Sequence, residues 1–137
     1  MSFTFGHHEH LKSRKSIALL INSGLSFSKF PIKVRWTIAQ QHQAAPVVCT
    51  FSVPKRNFKK AVHRNYIKRI MREAYRLNKQ QLFDCLIEKN VKIQVLFIFI
   101  GNEVPTYQQV ESKIILTLQS LIELNETSTN GHINISC

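Results

Sequence analysis

Eight Lys or Arg residues stand between Lys59 and Lys79, in "KKAVHRNYIKRIMREAYRLNK", against a single acid, Glu73. Cations spaced in this way hold phosphates rather than break bonds. A guanidinium forks onto two phosphate oxygens at once, whereas an ammonium acts as a point charge. At about 100° per residue, Arg64, Lys68, Arg69, Arg72 and Arg76 share an arc of about 140° with Asn65 in its middle. Ile67, Ile70, Met71, Ala74 and Leu77 fill a separate arc, expected to be core. An ordinary solvated face mixes signs at i,i+4; here five cations have only Glu73 beside them, where it can brace Arg69 and Arg76. Lys55, Arg56, Lys59 and Lys60 extend the charge into the loop entering the helix, whose free backbone amides also favour anions.

Other chemistry is poorly represented. The eight acids form no paired-carboxylate pattern, and there is no glycine-rich phosphate loop, no G-x-S-x-G and no H-E-x-x-H. No catalytic residue and no metal ligand is expected, and the "HHEH" of His7 to His10 reads as polar residues of the N-terminal arm. Three cysteines without close spacing suggest neither a disulfide framework nor a zinc site. Cys49, and Cys85 as a second candidate, read as buried thiols.

The chain has 137 residues, 44% of them hydrophobic, and a net charge of +11. Residues 53–79 hold ten bases and one acid, so nearly all of that excess is local. A concentrated basic patch points to nucleic acid, or less often to an anionic membrane surface. No apolar run is long enough to span a bilayer and the N-terminus does not read as a signal peptide, so a cytoplasmic location without membrane attachment is expected.

The elements that must position these cations follow from periodicity. A short amphipathic helix is expected over residues 14–22, with Ile17, Leu20 and Ile21 on one side and Gly24 at its stop. Ile32, Val34, Trp36 and Ile38 then alternate with Lys33, Arg35 and Thr37, as in a strand with one packed and one wet face. "VVCTFSV" reads as a second strand, and the basic helix runs from about Ala61 to Leu77. A helical turn is expected within Gln80–Lys89. "VKIQVLFIFI", apolar on both faces in its second half, reads as an interior strand. The last helix begins at a capping box of Thr106 and Gln109 and places Val110, Ile114, Leu118 and Leu121 inward. This is one α+β domain over residues 1–125, with a loose arm at 1–10 and a polar, disordered tail at 126–137.

The stretch "SVPKRNFKKAVHRNYIKRIMREAYRL" resembles the protein subunit of bacterial ribonuclease P, whose signature is R-N-x-x-K-R-x-x-R-E-x-x-R on a helix after a strand. "HLKSRKSIALLINSG" and "VLFIFIG" resemble the first helix and last strand of that family. Tyr66 stands where the family often has Arg, and Ile17 and Ile21 where it often has aromatics. The resemblance implies a mostly antiparallel four-stranded sheet with about three helices, a fold shared with a ribosomal-protein domain, and an uncommon left-handed β-α-β crossover. It further implies a two-part endoribonuclease in which a catalytic RNA, using Mg²⁺ that it holds itself, removes the 5′ leader of precursor tRNA. The protein would dock its basic helix on that RNA and hold the leader in a cleft between the first helix and the sheet, with no obligate protein partner. Single strands are held by cations and flat side chains. Lys12, Arg14, Ile17, Ile21, Phe27, Lys33, Arg35 and Trp36 are the cleft candidates, with Phe30 beside them. The competing readings are a plain RNA-binding module, a major-groove DNA reader, and a membrane-surface helix.

Overall fold

Alternating burial along a single strand divides this molecule into two unequal layers. In a computed structural model of the chain, Ile32, Val34 and Trp36 are buried, and Lys33, Arg35 and Thr37 between them are half-exposed. The structure describes residues 9, 11, 14–39, 43 and 45–130, with Ser23 and the last five of these by backbone alone. The elements run α1 (Arg14–Ser23), β1 (Leu25–Lys29), β2 (Ile32–Ile38), β3 (Val47–Ser52), α2 (Ala61–Asn78), α3 (Gln80–Lys89), β4 (Ile93–Phe99) and α4 (Tyr107–Asn130).

The four strands form one mixed sheet in the order β1-β2-β4-β3. β1 pairs antiparallel with β2, and β2 with β4. β3 lies parallel to β4, so α2 and α3 make the crossover of a β-α-β unit. The register aligns Trp36, Val95 and Cys49 across the strands, and likewise Phe27, Val34, Phe97 and Phe51. Side chains in register share a face. That face carries the main core, closed by Ile67, Met71 and Ala74 of α2, Leu82 and Leu86 of α3, and Val110, Ile114 and Leu121 of α4. Phe51 stacks on Phe97 at 5.2 Å, and the Tyr75 ring meets Phe51 edge-on at 5.8 Å.

The second face is covered only in part. Leu20 of α1 packs there with Leu11, Ala45, Val48 and Leu96, and Ile17 and Ile98 lie alongside. β4 is thus covered on both sides, which is why its sequence is apolar throughout.

Several elements differ from their expected form. β1, "LSFSK", is mostly exposed and carries two serines, so no apolar alternation announces it. It exists as the edge partner of β2 across the Phe30–Pro31 turn. The Gln80–Lys89 stretch is a full ten-residue helix, stopped by Asn90 in the left-handed region at φ 56. The Asn90 and Val91 amides donate back to Ile87 and Leu86, a stop that asparagine tolerates well. α4 continues to Asn130, beyond the boundary expected at residue 125. Glu9, assigned to a loose arm, is buried and bonded to Lys79. Cys49 is a buried free thiol, whereas Cys85 is buried but disulfide-bonded. Burial pushes the Cys49 thiol and the facing Tyr75 hydroxyl well up, so both stay protonated.

The capping box is formed as expected. The Gln109 amide donates to Thr106 Oγ1 at 3.2 Å, and the Thr106 amide to Gln109 Oε1 at 3.0 Å. Thr106→Ala therefore destabilises the protein by about 1 kcal/mol, read as a small drop in the urea midpoint at constant slope. Among the described residues no helix is long and apolar enough to cross a membrane.

Candidate nucleic-acid interface

The α2 ridge is exterior because the opposite side of the helix is needed by the sheet. Ile67, Ile70, Met71, Ala74 and Tyr75 are its buried positions. Relative to the sequence reading, the buried stripe is turned toward Tyr75 and away from Leu77, which is 42% exposed. Tyr75 is drawn in by the Phe51–Phe97 stack, a tertiary contact that helical periodicity does not report.

Arg69 and Asn65 are exposed, and Arg64, Lys68, Arg72 and Arg76 are half-exposed. Each guanidinium has its own local support. Arg64 Nη1 donates to the carbonyls of Phe58 at 2.7 Å and Lys59 at 2.9 Å, folding the entry loop onto the helix. Arg69 lies 5.5 Å from the Tyr66 ring centroid, and Tyr66 in turn packs on the core. Arg72 lies 5.9 Å from the Phe51 ring, and its buried Nε has no hydrogen-bond partner among the described residues. Arg76 is paired with Glu73. That hydrogen bond holds the Glu73 carboxyl below the usual carboxylate range and raises the Arg76 guanidinium. Glu73 therefore braces Arg76 and not Arg69. Among the described residues no other ridge cation is in a salt bridge.

The entry loop is anchored as well as charged. Lys55, Arg56, Lys59 and Lys60 are exposed. Between them, Asn57 Nδ2 donates to the Gly101 carbonyl at 3.3 Å, and Phe58 is buried against Phe99. No side chain caps α2, and its first turn holds no acid, so its positive end is open to an anion. Loop and ridge together form one rigid surface of nine cations, eight of them without a carboxylate partner among the described residues.

The cleft candidates divide between the two faces of the sheet. Lys33 and Arg35 point to the α1 side, where Ile17 is half-buried, Ile21 is 49% exposed and Arg14 is exposed. Lys12 lies outside the described residues. Trp36 does not belong with them: it is 1% exposed in the main core. Phe27 is also misassigned to the cleft, since it pairs with Val34 and packs on that same core. The reason is the two-residue period, which puts both rings on the face opposite Lys33 and Arg35. Phe30 is 66% exposed in the β1–β2 turn, on neither face. The register supplies residues the sequence reading missed: Ser26 and Thr50 flank the Arg35–Leu96 pair, and Ser28 and Ser52 flank Lys33–Ile98. For Thr50 and Ser52 the alternation at the end of β3 was the available signal, whereas β1 offered none.

Residues 5–120 match the profile of a family described as Ribonuclease P. The chain is 36% identical over 110 residues to the ribonuclease P protein component of Porphyromonas gingivalis, covering 80% of each. It is 34% identical over 117 residues to that of Chlorobium phaeobacteroides, covering 78% of this chain and 80% of the relative. Among solved structures, the RNase P protein of Staphylococcus aureus superposes with a TM-score of 0.66 at 18% identity, over 83% of this chain and 97% of that one. The RNase P protein from Thermotoga maritima gives 0.65 at 20%, over 82% and 96%.

Proposed function

The chain belongs to the ribonuclease P protein family, the protein components of an endoribonuclease, and from that premise we propose that α2 and its entry loop dock on the catalytic RNA while the α1-side cleft holds the 5′ leader of precursor tRNA. One observation carries this reading: the outer ridge of α2 repels itself, and a nucleotide backbone would relieve that repulsion. The half-burial of Arg72 and the backbone bonds of Arg64 fix their positions beforehand, which reduces the ordering cost of binding.

The bond chemistry belongs to the RNA, in the cytoplasm, with Mg²⁺ held mainly by that RNA. On the ridge, the Glu73 carboxylate is engaged by Arg76. The protein's part is to neutralise phosphates and to position the leader, and no step is assigned to its side chains.

For the cleft, Lys33 and Arg35 supply the charge, the serine and threonine hydroxyls supply polar contacts, and Ile17 and Ile21 of α1 supply the apolar wall. With Trp36 and Phe27 on the other face, leader binding rests on charge and aliphatic contact rather than on ring stacking. Mixing the protein with the catalytic RNA and precursor tRNA at low Mg²⁺ is expected to raise cleavage above that of the RNA alone. No gain would leave a plain RNA-binding module. Deleting the leader is expected to lower affinity for the holoenzyme, and Arg35→Ala to shrink that difference. Equal affinity for both substrates would remove the cleft from the account.

A further inference from the structure

The end of the sheet where β3 and β4 finish carries a groove that neither docking surface uses. The Phe30–Pro31 turn, the segment after β4 and the first turns of α4 enclose about 530 Å³. Its floor is tight. A Cβ at Gly101 would stand 3.0 Å from the Phe99 ring and 3.1 Å from Pro31. The Ile100 amide donates to the Pro31 carbonyl at 2.8 Å, which holds the turn against this floor. On the rim Phe30 leaves 66% of its surface in water. Gln109 and Lys113 of α4 also line the groove, the Gln109 oxygen being held by the Thr106 amide.

A flat apolar ring and polar side chains lining one groove suit a nucleobase, which has a π face and hydrogen-bonding edges. Position argues for the same occupant. Asn57, in the middle of the basic loop, bonds to the Gly101 carbonyl, and Phe58 packs on Phe99. Lys55 and Arg56 therefore stand at the same end of the sheet as the groove. A strand whose phosphates lie on this loop would bring its bases to the groove mouth. Glu103 on the lining disfavours a phosphate inside, so the base and not the backbone would enter.

We propose that this groove takes one unstacked base of the catalytic RNA, stacked on Phe30, with the flanking phosphates on Lys55 and Arg56. The inference rests on the RNA-docking reading above, and its test separates the two. Binding of catalytic RNA transcribed in vitro is measured for the full-length protein and for Phe30→Ala. Removing one base stack weakens binding about five- to a hundredfold. The salt dependence stays unchanged, because every phosphate keeps its cation. Phe30 is exposed enough that the thermal midpoint should also hold. Phe30→Trp retains affinity, and its indole, in water where Trp36 is buried, is quenched as RNA binds. Wild-type affinity in Phe30→Ala alongside sound binding by the wild type overturns the groove alone, as does an unquenched indole. A loss confined to precursor tRNA overturns its assignment to the catalytic RNA. Failure of the wild type to bind overturns both readings.

Discussion

Replacing Arg69 and Arg72 together by alanine is expected to weaken catalytic-RNA binding by about a hundredfold or more at low salt. A charge-assisted hydrogen bond is worth about 1.5–3 kcal/mol, and 1.4 kcal/mol is a factor of ten. The more telling result is the slope. Each arginine–phosphate pair removed should change the log–log dependence of affinity on salt by roughly 0.7–0.9. Arg69 is exposed beside Tyr66 with no carboxylate partner among the described residues, so its contribution should be the full one. Arg76 already shares its charge with Glu73, so Arg76→Ala should move the slope less than Arg69→Ala does. Arg72 also covers Phe51, and a melting curve separates its packing role from its phosphate role. Unaltered slopes in the double variant would locate the RNA elsewhere on the protein.

Where the sequence was informative, the reason was periodicity tied to burial. The strand Ile32–Ile38, the strands β3 and β4, and the extent of α2 were legible because alternation and helical spacing report which side faces a core. The ridge was legible on the same grounds, since cations are excluded from that core. Trp36 shows how a functional analogy can override such a signal. Its own strand pattern put it with Ile32 and Val34, yet a flat side chain was wanted beside Lys33 and Arg35. The structure follows the pattern.

What the sequence did not carry was the packing of distant elements on one another. Tyr75 lies within the cationic arc of α2 by angle, but the Phe51–Phe97 stack draws it inside. β1 has no apolar alternation of its own and is defined by pairing with β2. Lys79 was counted among the cations of the basic segment, but it is 3% exposed and belongs to an ion pair made across 70 residues of chain. No one-dimensional pattern marks such a pair.

That pair should dominate the stability of the N-terminal segment. Lys79 Nζ meets Glu9 Oε1 at 2.5 Å with both side chains buried, and its ammonium lies 5.1 Å from the Phe83 ring centroid and 5.9 Å from that of Tyr75. The Leu11 amide, two residues on, donates to the Cys49 carbonyl at 2.8 Å, so Leu11 is tied to the edge of β3 as Glu9 is to the start of α3. Two desolvated charges can be worth little as a pair, yet breaking a buried pair by removing one charge costs about 3–5 kcal/mol. Glu9→Gln is therefore expected to lower the melting temperature by roughly 10 °C or more. Glu9→Leu combined with Lys79→Met, which removes both charges and keeps the bulk, should recover most of that deficit. Salt dependence of RNA binding should be unchanged in Glu9→Gln, since Glu9 pairs with Lys79 rather than with a ridge cation and Lys79 is too deeply buried to reach a phosphate. A melting temperature for Glu9→Gln within about 2 °C of the wild type would mean that the segment does not close on Lys79 in solution.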